Sequence, residues 1–471
     1  MVIPHDMANI VGAANVLTGN DAAPYLTDWR GVFRGNALCV VRPGAADEVA
    51  RIVRHCAKHR VAVVPQGGNT GLVGGATPDV AGRAIVLCTT RMSRIRQIDV
   101  VNDTVTVEAG CILQTLQEQC AQKERLFPLS LAAEGSCTVG GNLATNAGGS
   151  QVLRYGGMRD LTLGLEVVTA DGQIWNGLRG LRKDNTGYDL KSLIVGSEGS
   201  LGIITAAVLK IFPLPRTQIA AMVAADKLAG CVSLLQRSRS AIGTSLSAFE
   251  VMARSCLTMV TSTFPEQRLP FDGPSASADW YALIDIACAD DEAGARERLE
   301  TVLAHSIEAG EIVDAVIAAN SSQRRELWHL RESISLAQAQ AGKSIKHDIS
   351  LPISSIPEFA RSAREMLEAE FPGIAIMPFG HLGDGNLHYN VGATSKFGNA
   401  ELERSHDKIY QLVHDAVHER GGSISAEHGI GQLKRSELIR YKSAHELAMM
   451  RAIKSALDPD NILNPGKVIA A

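Results

Sequence analysis

Pro65-Gln66-Gly67-Gly68-Asn69-Thr70-Gly71-Leu72-Val73-Gly74-Gly75, PQGGNTGLVGG, follows a strand-like run and carries five glycines in eleven residues. Glycine tolerates positive φ and lets backbone amides approach an anion closely, so such a loop can cradle a pyrophosphate. It can equally be a plain tight turn. No Gly-Lys-Ser/Thr follows, which excludes a Walker loop, and the spacing and subsequent helix of the GxGxxG dinucleotide fingerprint are missing. Two more glycine-rich blocks, TVGGNLATNAGGSQVLRYGG and NTGYDLKSLIVGSEGSLGIIT, lie downstream. One structural turn does not explain three such loops, whereas a large flat cofactor needs backbone approach at several places.

The elements around the first loop alternate in period. In ADEVARIVRHCAKHRVAVV, Val49, Ile52, Val53 and Cys56 share a helical face, and Val61 to Val64 reads as a buried strand ending at Pro65. AIVLCTT reads as another strand, and RQIDVVNDTVTVEAG as a hairpin turning at Asn102-Asp103. This is an α+β pattern. After IFPLP the texture shifts to longer amphipathic helices, such as DEAGARERLETVLAHSIEAG, between strand-like pieces such as WYALIDIAC. The shift divides the chain into a first domain of residues 1–215, a second of 216–420, and a C-terminal segment, 421–471, rich in glycine and asparagine turns.

With 471 residues and 50.1 kDa, two or three domains are expected. Only 4% of residues are aromatic, too few for base-stacking surfaces, and a net charge of −4 gives no pull towards a polyanion. The N-terminus lacks the basic start and apolar run of a secretory signal, and no apolar run reaches membrane-spanning length, so a cytoplasmic location is expected. Nine cysteines, none in a Cys-x-x-Cys pair, read as buried reduced thiols.

Thirteen histidines are present. His414 and His418 imitate the HExxH zinc signature, but Asp415 replaces the glutamate base and would not reach the same water. GHLGDGNLHYNV differs. Side chains alternate along a strand, so His381 and His388 would point apart unless Gly383-Asp384-Gly385 turns the chain back. With that turn both imidazoles converge, His388 and Asn390 share one face of the following strand, and Leu387, Tyr389 and Val391 take the other. Two histidines leave a divalent metal short of ligands, and Glu427-His428 in AEHG supplies a carboxylate beside another imidazole. A metal site and a hydrogen-bonded histidine pair at a turn both fit this spacing.

The ordered motifs PQGGNTGLVGG, PLSLAAEGSCTVGGNLATNAGG, RYGGMRDLTLGLEVVTADG and GSEGSLGIIT resemble the flavin-binding half of the vanillyl-alcohol oxidase type of FAD enzymes. That resemblance implies a two-lobed FAD-binding domain, an α+β substrate (cap) domain and a C-terminal segment completing the active site. It implies FAD contacts at Pro65, Gly67, Gly68, Asn69, Thr70, Gly71, Gly74, Ser130, Gly135, Thr138, Gly141, Asn142, Asn146, Glu198, Gly202 and Ile203. Some members attach flavin through a histidine of the first loop; this loop has none, so noncovalent FAD is expected.

GHLGDGNLH and AEHG resemble the C-terminal half of the FAD-dependent D-2-hydroxy acid dehydrogenases. By that resemblance His381, His388 and Glu427 hold a divalent metal, with zinc first and manganese, iron or cobalt admissible. His428 is the base, and Asn390 assists the substrate. WHLRESIS with Lys346 in SIKHDISLP is closer to the D-2-hydroxyglutarate dehydrogenases than to the D-lactate enzymes, and gives Arg331, Ser335 and Lys346 a carboxylate-binding role. A dicarboxylate needs a bidentate Arg331 and a second cation more than lactate does. Ion pairs, Arg331 with Glu332 or Glu326 and Lys346 with Asp348, are the plain alternative.

The implied reaction is oxidation of D-2-hydroxyglutarate to 2-oxoglutarate by hydride transfer to flavin N5. D-lactate or glycolate oxidation, and a non-catalytic FAD-binding subunit, are the alternatives. The electron acceptor, such as an electron-transfer flavoprotein or a quinone, is not legible, nor is the oligomeric state, for which a homodimer is admissible.

Overall fold

The computed structural model describes residues 3–289 and 292–469, which form an α+β protein of two compact units. One unit comprises Met1–Gly148, Gly156–Leu214 and Glu427–Ala471; the other comprises Gly149–Tyr155 and Pro215–Ala426.

Among its described residues the first unit contains a four-stranded sheet, a five-stranded sheet and a two-stranded pairing of Arg125–Leu126 with Phe212–Pro213. In the four-stranded sheet, Ala62–Gln66 is an edge strand paired in parallel with Ala84–Cys88, which pairs in parallel with Val40–Val41. The strand expected to end at Pro65 continues to Gln66, with Pro65 opposite Leu87. Proline lacks a backbone donor, and an edge strand has one side on which none is needed. The helix Ala46–His59 covers this sheet with Val49, Ala50, Ile52, Val53 and Cys56, matching the helical period. The larger sheet is antiparallel and five-stranded, with Ile95–Asp99 at one edge and Ile174–Gly177 at the other. Its first hairpin turns where expected, with Asp103 at φ 50°.

The second unit is built on an eight-stranded sheet whose central strands include Thr217–Ala225, Trp280–Cys288 and Leu246–Ala253. Ala375–His381 pairs with both Leu246–Ala253 and Asn386–Gly392. Helices Leu228–Ile242, Glu292–Glu308, Ile356–Glu370 and His406–Glu419 pack their apolar sides into one continuous core with this sheet. All nine cysteines are buried and unbridged. Among the described residues no helix is long and apolar enough to cross a membrane.

Candidate active site

Within the first unit, the glycine loops line one cleft that encloses, with its solvent mouth, about 930 Å³. The first loop leaves the sheet at Gln66, whose buried amide donates to the carbonyls of Tyr25 and Ala76, both at 2.9 Å, and so ties the loop's two ends together. Asn69 takes a left-handed conformation (φ 54°) and donates to the Thr27 carbonyl at 2.9 Å. The loop then runs against the 136–141 segment at backbone distance. A Cβ on Gly67 would lie 2.2 Å from the Thr138 hydroxyl, and one on Gly68 would lie 1.9 Å from the Ser136 carbonyl oxygen.

Pro65, Gly67, Gly68, Asn69, Thr70 and Gly71 line this cleft from one side, and Thr138, Gly141 and Asn142 from another. Glu198, Gly202 and Ile203 close it, and His428 also reaches it. The remaining expected contacts lie off the cleft wall. Gly74, at φ 69°, packs under the Phe33 ring, and Asn146, at φ 50°, accepts the Arg159 N–H at 2.8 Å. Gly135 is exposed and Ser130 half-buried.

Two features suit this cleft to FAD. Its walls are bare backbone where the glycines sit. The Thr138 hydroxyl is buried there without a hydrogen-bond partner among the described residues, as a group awaiting a ligand would be.

Glu198, which lines the cleft, also makes contacts of its own within the chain. Its backbone is left-handed (φ 52°), and its carboxylate accepts the N–H groups of Ile430 at 2.7 Å and Gly431 at 2.9 Å. Burial pushes its carboxyl above the usual glutamate range, against the pull of those two N–H groups and of Lys434 and Lys467. Burial likewise brings the Lys467 ammonium down to about 8. The 430–434 segment is further tied to the first loop by Gln432, which donates to the carbonyls of Gly74 and Thr77. Asn464 donates to the carbonyls of Gly75 and Glu198.

In the second unit, Gly383-Asp384-Gly385 makes the predicted turn. Asp384 N–H reaches the His381 carbonyl at 3.2 Å, Gly385 takes φ 85°, and the Asp384 carboxylate accepts the Asn386 N–H at 3.0 Å. Phe379 then faces His388 across the hairpin, while Leu387, Tyr389 and Val391 enter the core as the alternation required. The His381 and His388 rings meet edge to face at 5.8 Å, each offering a nitrogen within 4.8 Å of the other's. Burial raises the Asp384 carboxyl to about 6, against the opposing charge of His381.

Two acids organise this hairpin: Glu250, which no sequence pattern singled out, and Asp348, which the sequence offered only as a partner for Lys346. Glu250 lies in Leu246–Ala253, a fully buried strand that is apolar except for Glu250 and Ser247. It accepts from His381 Nδ1 at 2.7 Å and from both Nε and Nη2 of Arg331 at 2.8 Å. Burial opposes its ionisation, but His381 and Arg331 outweigh it and hold the carboxyl below the usual range. Asp348, fully buried, stands opposite His388 in the strand register, offers an oxygen within 4.8 Å of it, and accepts from the Asn386 amide at 3.1 Å. An acid inside a mostly apolar strand was the visible signal for Glu250.

This pairing sets the donor chemistry. With His381 Nδ1 donating to Glu250, the neutral ring carries its lone pair at Nε2, the arrangement that orients metal-binding histidines. Two imidazoles with nearby carboxylates suit zinc, manganese, iron or cobalt. The second unit ends at Ala426, whose N–H reaches the Asp348 carbonyl at 3.3 Å, and Glu427 follows by one peptide bond.

Arg331 is buried, with its Nε/Nη2 edge committed to Glu250 and its guanidinium 4.9 Å from the Phe379 ring centre. The bidentate fork expected for a substrate carboxylate is therefore turned inward, and Nη1 lies outside that pair. Its partner is Glu250, not Glu326 or Glu332. Lys346 is half-buried between the short strands Ser344–Ile345 and Asp348–Ser350, and Ser335 is exposed on Ile334–Ala341. Asn390 is buried; it donates to Gln338 at 2.8 Å and accepts the His347 N–H at 3.2 Å. His414 is buried beside Tyr410 and His347 while His418 is exposed, so these two histidines do not form a ligand pair.

Comparison with known proteins agrees with both halves. Residues 37–177 match the FAD binding domain model, and residues 214–468 match the C-terminal domain of FAD linked oxidases. The mitochondrial D-2-hydroxyglutarate dehydrogenase of Arabidopsis thaliana is 40% identical over 465 residues, covering 98% of this chain and 80% of that protein. A Schizosaccharomyces pombe protein named as a mitochondrial D-lactate dehydrogenase is 34% identical, covering 99% and 88%. The structure of p-cresol methylhydroxylase with substrate bound shares the fold at 16% identity, with a TM-score of 0.77 over 99% of this chain and 96% of that one.

Proposed function

Because the chain belongs to the FAD-dependent D-2-hydroxy acid dehydrogenases of the vanillyl-alcohol oxidase type, we propose that it oxidises D-2-hydroxyglutarate to 2-oxoglutarate, with noncovalent FAD and a divalent metal. The observation that carries this reading is the Glu250 clamp. One buried carboxylate holds the guanidinium of Arg331 and the imidazole of His381, setting a carboxylate-binding cation and a ligand of the hydroxyl-binding metal at a fixed separation. A 2-hydroxy acid presents those two ends.

Bound FAD supplies the two-electron acceptor for the Cα hydride, and a bound divalent cation supplies Lewis acidity at the hydroxyl oxygen. On the family resemblance we assign the cation, zinc first, to His381, His388 and Glu427, and Asp348 stands opposite His388 in the strand register. His428 accepts the hydroxyl proton at an imidazole nitrogen, a group whose ordinary pKa lets it be neutral at physiological pH. Arg331, through Nη1, and Lys346 take the two carboxylates, with Ser335 as a flanking hydroxyl. Asn390 holds the backbone at His347 and so fixes the residue after Lys346. In the flavin unit, Gly67, Gly68 and Thr138 are the residues we assign to the cofactor's phosphates.

The relative named as a D-lactate dehydrogenase makes D-lactate the second reading. Lactate has one carboxylate, so a site with both Arg331 and Lys346 has one cation more than it needs. Steady-state assays with an artificial electron-accepting dye separate the readings. The proposal expects kcat/KM for D-2-hydroxyglutarate at least about 100-fold above that for D-lactate, roughly one charge-assisted contact. Equal values refute the dicarboxylate assignment, and full activity after verified metal removal refutes the metal's role.

A further inference from the structure

The residue after His428 is Gly429, at φ 79°, and a Cβ there would lie 2.7 Å from the Glu198 Oε1. Ile430 and Gly431, the latter at φ 51°, then direct their N–H groups at the two oxygens of the same carboxylate. Successive amides around left-handed glycines form a concave nest that selects an anion. Here the anion is part of the chain. The backbone of Glu198 is held on both sides, for its N–H donates to the Ala144 carbonyl at 2.8 Å and its carbonyl accepts the Asn464 amide at 2.7 Å.

We propose that Glu198 is a positioning residue for His428: its carboxylate fills the 429–431 nest and fixes the backbone carrying the imidazole at the FAD cleft. This rests on the reading of His428 as the base. Glu198 touches neither the reacting atoms nor, in this role, the flavin. Its resemblance to a cofactor contact arises because it forms the cleft wall from which the His428 loop is held.

The test is a double-mutant cycle on the rate of anaerobic flavin bleaching by substrate, using the full-length FAD-loaded enzyme. Glu198→Gln replaces one acceptor oxygen with an amide donor and breaks the pairing with one of the two N–H groups. The expected result is normal flavin content with bleaching slowed about 10- to 100-fold, the range of a misplacement near 1 Å. In a His428→Ala background the same substitution should cost less than about threefold, because the group it positions is gone. Gly429→Ala, which sets a methyl against the carboxylate, should reproduce the selective loss if Glu198→Gln does not fold.

Equal cost in both backgrounds overturns the positioning role while leaving the base intact. Loss of flavin by both variants makes Glu198 a cofactor ligand and also overturns it. A His428→Ala enzyme bleaching at the parental rate removes the base itself, and this inference with it.

Discussion

Gly68→Ala tests whether the cleft is shaped by backbone contact. The added Cβ would lie 1.9 Å from the Ser136 carbonyl oxygen, 2.9 Å from its carbon and 3.1 Å from the Cys137 Cα. All three are backbone atoms, so no rotamer change relieves the clash. Folded proteins keep a Cβ at least 3.0 Å from such atoms, so the 67–71 loop and the 136–141 segment must part by about 1 Å. Overpacking of this kind costs about 1–3 kcal/mol. If the displacement falls on the cofactor walls, the upper half of that range weakens FAD binding by roughly 30- to 150-fold. The assay is titration of stripped protein with FAD, followed by quenching of flavin fluorescence. Gly135→Ala is the control: its nearest neighbour is the flexible end of Gln114 at 3.2 Å, and Gly135 lies off the cleft, so parental affinity is expected. Gly68→Ala binding FAD within about threefold of the parent refutes the reasoning.

His428→Ala should keep its flavin and lose about 100- to 10,000-fold in turnover, the range for a general base, as read by steady-state rates beside the absorbance of bound flavin. Glu250→Gln strands the buried Arg331; urea unfolding should show a loss of about 3–5 kcal/mol, and KM for D-2-hydroxyglutarate should rise. Asp384 gives a pH signature in the metal-free protein. Its folded carboxyl, at about 6, binds a proton more tightly than the ordinary value of 3.8, so stability falls as pH rises between those values, and the penalty is complete above them. Asp384→Asn should therefore stabilise the protein at pH 7.5, by up to about 3 kcal/mol, and give no gain at pH 3.5 in chemical denaturation.

The features legible in the sequence are those set by local rules. Period two placed Leu387, Tyr389 and Val391 in the core and His388 and Asn390 on the opposite face, and the two glycines marked the turn. Glycine spacing likewise marked the loops that line the cleft. What escaped depends on register between distant strands. Glu250 is 131 positions from His381 and 81 from Arg331, and no local pattern states that a strand between two others will bring them together. Glu198 and the Ile430 amide are 232 positions apart, so glycine richness in AEHGIG advertised a turn without naming the anion that fills it. Pro65 misled because its effect on a strand depends on whether that strand is an edge, which is a property of the sheet.

The central claim is that a dicarboxylic D-2-hydroxy acid passes its electrons directly to the flavin of this chain. Anaerobic addition of D-2-hydroxyglutarate, D-malate or D-lactate to the purified FAD-loaded protein, with flavin absorbance recorded in a stopped-flow cell, tests it most directly. Bleaching that is fastest with D-2-hydroxyglutarate, slower with D-malate and slowest with D-lactate is the predicted order. A flavin that stays oxidised with all three, or bleaches fastest with D-lactate, contradicts it.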